Sequence, residues 1–142
     1  MAVPILLVED SPSDAAILVA ALEDSGYVGV VQVVTNGVDA IQRLVTADIE
    51  SDIESPQLIL LDLNLPKMSG LEVLKEVKQN PLWKHIPIVV LSSSSSRGDV
   101  DRSYELHANA YLSKPRELTG YRAIAQQLHD FWLKTVKLPT YG

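Results

Sequence analysis

Leu58-Ile59-Leu60-Leu61 runs without a polar break into Asp62, and the chain then continues Leu63-Asn64-Leu65-Pro66. A short, unbroken apolar run closed by an acid reads as a strand buried on both faces. Similar runs lie on either side of it. Ile5 to Val8 precedes Glu9-Asp10, residues 30–34 read as a second strand, residues 88–91 lead into Ser92, and residues 110–112 lead into Ser113-Lys114-Pro115. Between them stand amphipathic helical patterns. Ser11-Pro12-Ser13-Asp14 offers a cap, a proline for the first helical position and an acid in the first turn, ahead of Ile17, Leu18, Ala21 and Leu22, with Gly26 as the stop. Asn36-Gly37 turns into a helix over residues 38–45, followed by a polar stretch, 46–56, that reads as a loop or a helix extension. Residues 69–79 form a helix with Leu71, Leu74 and Val77 at three-residue steps, closed by Asn80-Pro81; residues 99–106 and 118 to about 133 complete the set. Five βα units imply a flavodoxin-like three-layer α/β/α sandwich around a five-stranded parallel sheet.

The chain's 142 residues suffice for one ordinary domain and are too few for two. With 46% hydrophobic and 21% charged residues, it has the balance of a globular protein rather than a disordered or membrane-embedded one. The N-terminal apolar run has no basic start and meets Glu9 and Asp10 at once, so it reads as a strand and not as a signal peptide. The absence of cysteine excludes disulfides and thiolate chemistry and suits a reducing cytoplasm, the expected location. A net charge of −6 argues against nucleic-acid binding, which requires clustered Lys and Arg.

In an open parallel α/β sheet, ligands bind beyond the carboxyl ends of the strands. There the runs end in Glu9 and Asp10, in Asp62, in Ser92 and in Lys114. Each alone has an ordinary reading: a carboxylate after a strand can be a helix cap, a lone lysine is usually a solvated surface residue, and a lone serine carries no information. Their joint occurrence, in order, is poorly explained by coincidence. Three acids brought together repel one another and call for a cation, and oxygen-only ligands favour a hard ion such as Mg²⁺. Lys114 and Ser92 could hold the other oxygens of a phosphoryl group, with Asp62 as nucleophile.

Leu7-Val8-Glu9-Asp10, Leu61-Asp62-Leu63-Asn64-Leu65-Pro66, Met68-Ser69-Gly70 and Tyr111-Leu112-Ser113-Lys114-Pro115 resemble, in this order, the response-regulator receiver family of chemotaxis-receiver type. The resemblance covers about residues 4 to 133. It implies that Asp62 is the phosphoacceptor, that Glu9 and Asp10 are the acid pair, and that Mg²⁺ is held by Asp10, Asp62 and the Asn64 backbone carbonyl, with Glu9 acting partly through water. It further implies Ser92 as the switch hydroxyl, Lys114 as the phosphoryl-pairing lysine, a cis Lys114-Pro115 bond and Tyr111 as the aromatic switch. Glu9 stands where Asp is commoner and Ser92 where Thr is commoner. Both keep the chemistry, although serine lacks the β-branch that stiffens threonine. Side chains at Asn64 and Ser94 would tune the lifetime of the acyl phosphate.

A closer resemblance, to single-domain regulators that pair with phytochrome-type histidine kinases, rests on residues 62–67, Ser103-Tyr104, Ala108-Asn109-Ala110-Tyr111 and the tail residues Phe131-Trp132-Leu133, Val136, Leu138 and Pro139. It implies a sensor histidine kinase, a phytochrome in this case, as phosphodonor. The chain then divides into a receiver, residues 1–133, and a tail, 134–142. Phe131, Trp132 and Leu133 cannot all face inward from one helix, so apolar surface should remain exposed. This suggests a homodimer through helix four, strand five, helix five and the tail; the plainer alternative packs Ile124, Leu128 and Phe131 inward and leaves Trp132 alone outside. His85, His107 and His129 read as surface residues without a phosphodonor pattern. The protein would be no enzyme beyond its own phosphorylation and dephosphorylation, and no membrane or nucleic acid is expected as partner. Phosphohydrolases of the haloacid-dehalogenase type need a second acid where Asn64 stands and a nucleophile on the first strand. A nucleotide-binding flavodoxin-like protein needs a glycine-rich loop where Asp10-Ser11-Pro12 stands. The remaining rival is a pseudo-receiver that binds proteins without being phosphorylated.

Overall fold

The computed structural model describes residues 2–139, so Met1 and residues 140–142 of the expected tail lie outside the described residues. Its elements are β1 (Ile5–Val8), α1 (Pro12–Asp24), β2 (Val31–Val34), α2 (Gly37–Ile49), β3 (Leu58–Leu61), α3 (Gly70–Gln79), β4 (Ile88–Ser92), α4 (Arg97–Glu105), β5 (Ala110–Ser113) and α5 (Leu118–Gln127), which runs directly into a π-helical segment, Leu128–Thr135. All strand pairs are parallel, in the order β2-β1-β3-β4-β5. This is the expected three-layer sandwich.

Strand alternation divides the core in two. Leu6, Val8, Ile59, Leu61, Ile88 and Val90 face Leu44 of α2 and Leu74 and Val77 of α3. On the opposite face Ile5, Leu7, Leu58, Leu60, Val89 and Leu91 meet Leu18 and Leu22 of α1, Tyr121 and Ala125 of α5, and Leu128. Every residue of β1 and β3 is buried, which is why their sequences are continuous apolar runs. Each such side chain contributes about 1.5–3 kcal/mol through burial, and that is what fixes the sheet register. The register sets Ile5 beside Leu58 and Val8 beside Leu61, so Glu9 and Asp62 leave the sheet side by side.

Four helices begin alike. Ser11, Asn36, Ser69 and Ser96 each accept a hydrogen bond from the backbone N–H three residues on, at Asp14, Asp39, Glu72 and Asp99. The acid in each first turn complements the helix dipole. Gly26, at φ 105°, ends the turn after α1 in a left-handed conformation that suits glycine, and a side chain there would meet the His129 ring. His129 is therefore half-buried, with Nδ1 out of reach of solvent, and is not the surface residue that its isolated position suggested. His85 and His107 are exposed as expected.

α2 extends to Ile49, so the polar stretch after residue 45 begins as helix. At the other end of the chain, the wider turn after Gln127 changes which residues face inward. Leu128, Trp132 and Leu133 belong to the α1 side of the core, whereas Phe131 is 53% exposed and stands edge-on to Trp132 at 5.6 Å. The inward packing of Phe131 with a lone exposed Trp132 is thus not what forms, because i to i+5 bonding replaces the 3.6-residue period on which that pattern depends. The tail returns to the sheet, where Gln57 Nε2 donates to the Pro139 carbonyl at 3.2 Å.

A polar cluster fastens the start of β5. Asn109 Oδ1 accepts from the Ile88 N–H at 2.8 Å and from Lys78 Nζ at 3.1 Å, and Lys78 also donates to the Ile86 and Lys84 carbonyls. Burial pushes the Lys78 pKa down to about 8.

Candidate functional site

The carboxyl ends of β1 and β3 carry the acids. Glu9 donates its N–H to the Val34 carbonyl and Asp62 its N–H to the Val8 carbonyl, both at 3.0 Å, so each acid is held by the sheet ladder immediately past its strand. Both are 4% exposed, whereas Asp10 is open to solvent. Gly70, the first residue of α3, lies so close to the Asp62 carbonyl and to Leu63 that any side chain would strike that backbone. Its N–H donates to the Leu63 carbonyl at 2.9 Å. The Met68-Ser69-Gly70 motif therefore sets the backbone under Asp62.

Lys114 reaches across the rim from the end of β5. Its ammonium lies 2.5 Å from Glu9 Oε1 and 3.0 Å from Asp62 Oδ2, and a third carboxylate, Asp14, is 3.1 Å away. Burial works against the lysine charge, but these three carboxylates outweigh it and hold its pKa above the ordinary value. Glu9 is pushed up to about 7, chiefly by burial, against the pull of Lys114 and of the Ser11 N–H that donates to its Oε2 at 3.2 Å. Asp62 Oδ1 accepts from the Asn64 N–H at 3.2 Å, which holds the exposed Asn64 backbone over the acid.

Glu9, Asp10 and Asp62 each offer an oxygen, and the three oxygens lie within 4.8 Å of one another. This donor set fits a hard divalent cation: it is all oxygen, with a net charge that Lys114 alone does not cancel.

Ser92, the last residue of β4, is fully buried, and its Oγ accepts from the Ser94 N–H at 3.3 Å. The serine run that follows, Ser92 to Ser96, is tied down by its own side chains. Ser94 Oγ donates to Asp99 Oδ2 at 2.5 Å, and Ser96 caps α4. Tyr111 is half-buried, and its hydroxyl donates to the Ser94 carbonyl at 2.6 Å, while its N–H donates to the Tyr104 hydroxyl oxygen at 3.2 Å. Glu9, Asp10, Asp62 and Lys114 thus meet directly, and Ser92 and Tyr111 meet one another through the turn at Ser94. Lys114-Pro115 is not cis: no cis peptide bond occurs among the described residues. The trans isomer is the lower-energy form of an X–Pro bond, and with it Lys114 already reaches its carboxylates. Sequence reasoning missed Asp14 as a site residue. The available signal was its position one helical turn after Asp10, although its place in the first turn of α1 made a capping role sufficient explanation.

The model of the response regulator receiver domain matches residues 5–126. The chain belongs to this receiver family. Among its relatives, response regulator Rcp1 of Synechocystis sp. is 45% identical over 135 residues, covering 95% of this chain and 92% of the relative. The crystal structure of the Mn²⁺-bound form of Rcp1 superposes with a TM-score of 0.88 at 44% identity, covering 96% of this chain and 99% of that one. The phosphorylated cyanobacterial phytochrome response regulator RcpA gives a TM-score of 0.92 at 40% identity, over 99% and 100% of the two chains. The bacteriophytochrome response regulator AtBRR gives 0.75 at 39% identity, over 99% of each. The receiver is thus similar to phytochrome response regulators over almost its whole length. Among the described residues, no helix is long and apolar enough to cross a membrane.

Proposed function

We propose that this receiver accepts a phosphoryl group on Asp62 from a histidine kinase of phytochrome type. The observation that carries this reading is the Lys114 ammonium set between Glu9 and Asp62, next to three carboxylates that share one space. An Asp62 oxygen forms a bond to phosphorus as the bond from phosphorus to the donor breaks, and the product is an acyl phosphate. Lys114 then exchanges its contact with the Asp62 carboxylate for a phosphoryl oxygen, and the Ser92 hydroxyl turns from Ser94 toward another. Glu9, Asp10, Asp62 and the Asn64 backbone carbonyl would hold Mg²⁺. When bound, the ion neutralises the charge of the acids and of the transferring group. Beyond this self-modification the protein carries out no catalysis of its own. Tyr111 reads out the change through its bond to Ser94 and serves as the aromatic switch.

Intact-mass measurement after incubation with acetyl phosphate tests the proposal. A gain of one phosphoryl group that requires Mg²⁺ and disappears with chelator is the expected result. An unmodified mass would leave the pseudo-receiver reading in possession.

A pH dependence follows from Glu9. Its pKa is raised, so in the metal-free folded protein a proton resides there below about pH 7 and must leave when a cation binds. Mg²⁺ affinity should fall about tenfold between pH 8 and pH 6. Calorimetric titrations at the two values check this, and equal affinities would remove Glu9 from the site.

The unit of function is the receiver, residues 1–133, with 134–142 as a tail that takes part in dimerisation. Tyr104 on α4, whose hydroxyl meets the Tyr111 N–H of β5, and Phe131 after α5 are 49% and 53% exposed. These apolar side chains favour a second copy as partner. Sedimentation should reveal a dimer; a species of 15.6 kDa at high micromolar concentration, with or without phosphate, would exclude it. A cysteine-free chain suits the reducing cytoplasm, where we place the protein with its kinase.

A further inference from the structure

An ammonium has three N–H donors, and Lys114 directs them at three carboxylates, of which Asp14 is the one outside the cation-binding cluster of Glu9, Asp10 and Asp62. Asp14 occupies the third position of α1, where an acid ordinarily reaches back to the backbone N–H of the cap residue. That role is already taken, because the Ser11 N–H donates to Glu9 Oε2. The Asp14 carboxylate goes instead to Lys114, one hundred residues away in the chain. Asp14 and Lys114 together border a cavity of about 380 Å³ that Ser93, Arg116 and Tyr121 also line and that Glu9, Asp10 and Asp62 do not.

We propose that Asp14 is a positioning residue for phosphoryl transfer, anchoring Lys114 from the side away from the metal-binding acids. The inference rests on the reading of Asp62 as phosphoacceptor. Modification of Asp62 removes one lysine partner, and a cation in the cluster engages Glu9. Asp14 alone keeps its contact throughout. Lysine has a long flexible stem, and a misplacement of about 1 Å in a reacting group can cost on the order of a hundredfold in rate. The opposing effect, repulsion between Asp14 and an incoming anionic donor, predicts the opposite sign. It is weakened because the Asp14 side chain is 35% exposed and screened by water.

The test is phosphorylation of the whole chain by acetyl phosphate at saturating Mg²⁺, followed by intact mass, for the unaltered protein, Asp14→Ala and Asp14→Asn. Asp14→Ala should lower the maximal rate about tenfold, with half-saturating acetyl phosphate and Mg²⁺ affinity within about twofold of the unaltered values. Asp14→Asn retains a carbonyl acceptor for the lysine and should recover most of the rate. The cap bond uses the Asp14 backbone and not its side chain, so both variants keep it; if the alanine variant nonetheless fails to fold, the asparagine variant and its acceptor-free counterpart Asp14→Leu carry the comparison. An Asp14→Ala rate equal to or above that of the unaltered protein overturns the proposal, as does a loss confined to Mg²⁺ affinity. If the unaltered protein takes up no phosphoryl group, the Asp62 reading fails and this inference with it.

Discussion

Asp62→Asn should lower the rate of acyl-phosphate formation from acetyl phosphate by at least about a thousandfold, because an amide oxygen is a poor nucleophile and a nucleophile's removal is not compensated by the groups around it. The fold should survive. The N–H of residue 62 still donates to the Val8 carbonyl, and an asparagine oxygen can still accept from the Asn64 N–H. One negative charge disappears from a crowd of three, while one Lys114 partner weakens, so the stability change should stay within about 1 kcal/mol. Mg²⁺ affinity should fall by about tenfold or more as a ligand is lost. Mass spectrometry, thermal melts and calorimetry separate these three consequences. A variant that is still labelled at the same position and rate would show that Asp62 is not the acceptor.

The second large effect is expected from Lys114→Met, and it has opposite signs in two measurements. The lysine side chain is only 10% exposed and pairs with three carboxylates, two of them buried. Its removal leaves those charges without a cation, which costs about 3–5 kcal/mol and lowers the melting temperature by roughly 10–17 °C in metal-free solution near neutral pH. Yet the ammonium competes with any metal for Glu9 and Asp62, so Mg²⁺ should bind the variant about tenfold more tightly and restore much of the lost stability. The pH dependence has a defined sign. Glu9 already titrates near pH 7 in the folded chain, against 4.5 ordinarily, and without Lys114 it rises further. The folded state then binds more protons than the unfolded state between these values, so the variant should gain stability as the pH falls from 7 toward 4.5. The rate of phosphorylation should fall by a factor of about a hundred to a thousand, the cost of losing one preorganised group at a transferring oxyanion. Unchanged stability in the absence of metal would show that the carboxylates do not depend on the lysine.

Residues 5–8 and 58–61 could be delimited from the sequence because strands buried on both faces admit no polar interruption. Their ends located Glu9, Asp10 and Asp62, since parallel register carries residues that follow adjacent strands to one rim. The extension of α2 through Thr46 to Ile49 was harder to read, as a polar, half-exposed turn satisfies helix and loop patterns alike. The segment from Leu128 was harder still. Period-based reasoning assumes 3.6 residues per turn, and a change to π geometry moves Phe131 outward and Trp132 inward without any change in composition. Asp14 escaped attention for a different reason: its local role as a first-turn acid was sufficient, and only the diversion of the Ser11 N–H to Glu9 reveals that its carboxylate serves elsewhere.

The Asn109 cluster makes β5 a strand fastened at both ends. The side-chain oxygen that takes both the Ile88 N–H and the Lys78 ammonium clamps the chain just before Ala110, where β5 begins. At the other end Lys114 is tied to the acids, and Tyr111 stands between the clamp and the tie. Between these ends every residue of β5 is paired with β4, so the strand is a brace: it spans from the Asn109 clamp to the acid rim and carries, midway, the hydroxyl that holds the Ser94 carbonyl.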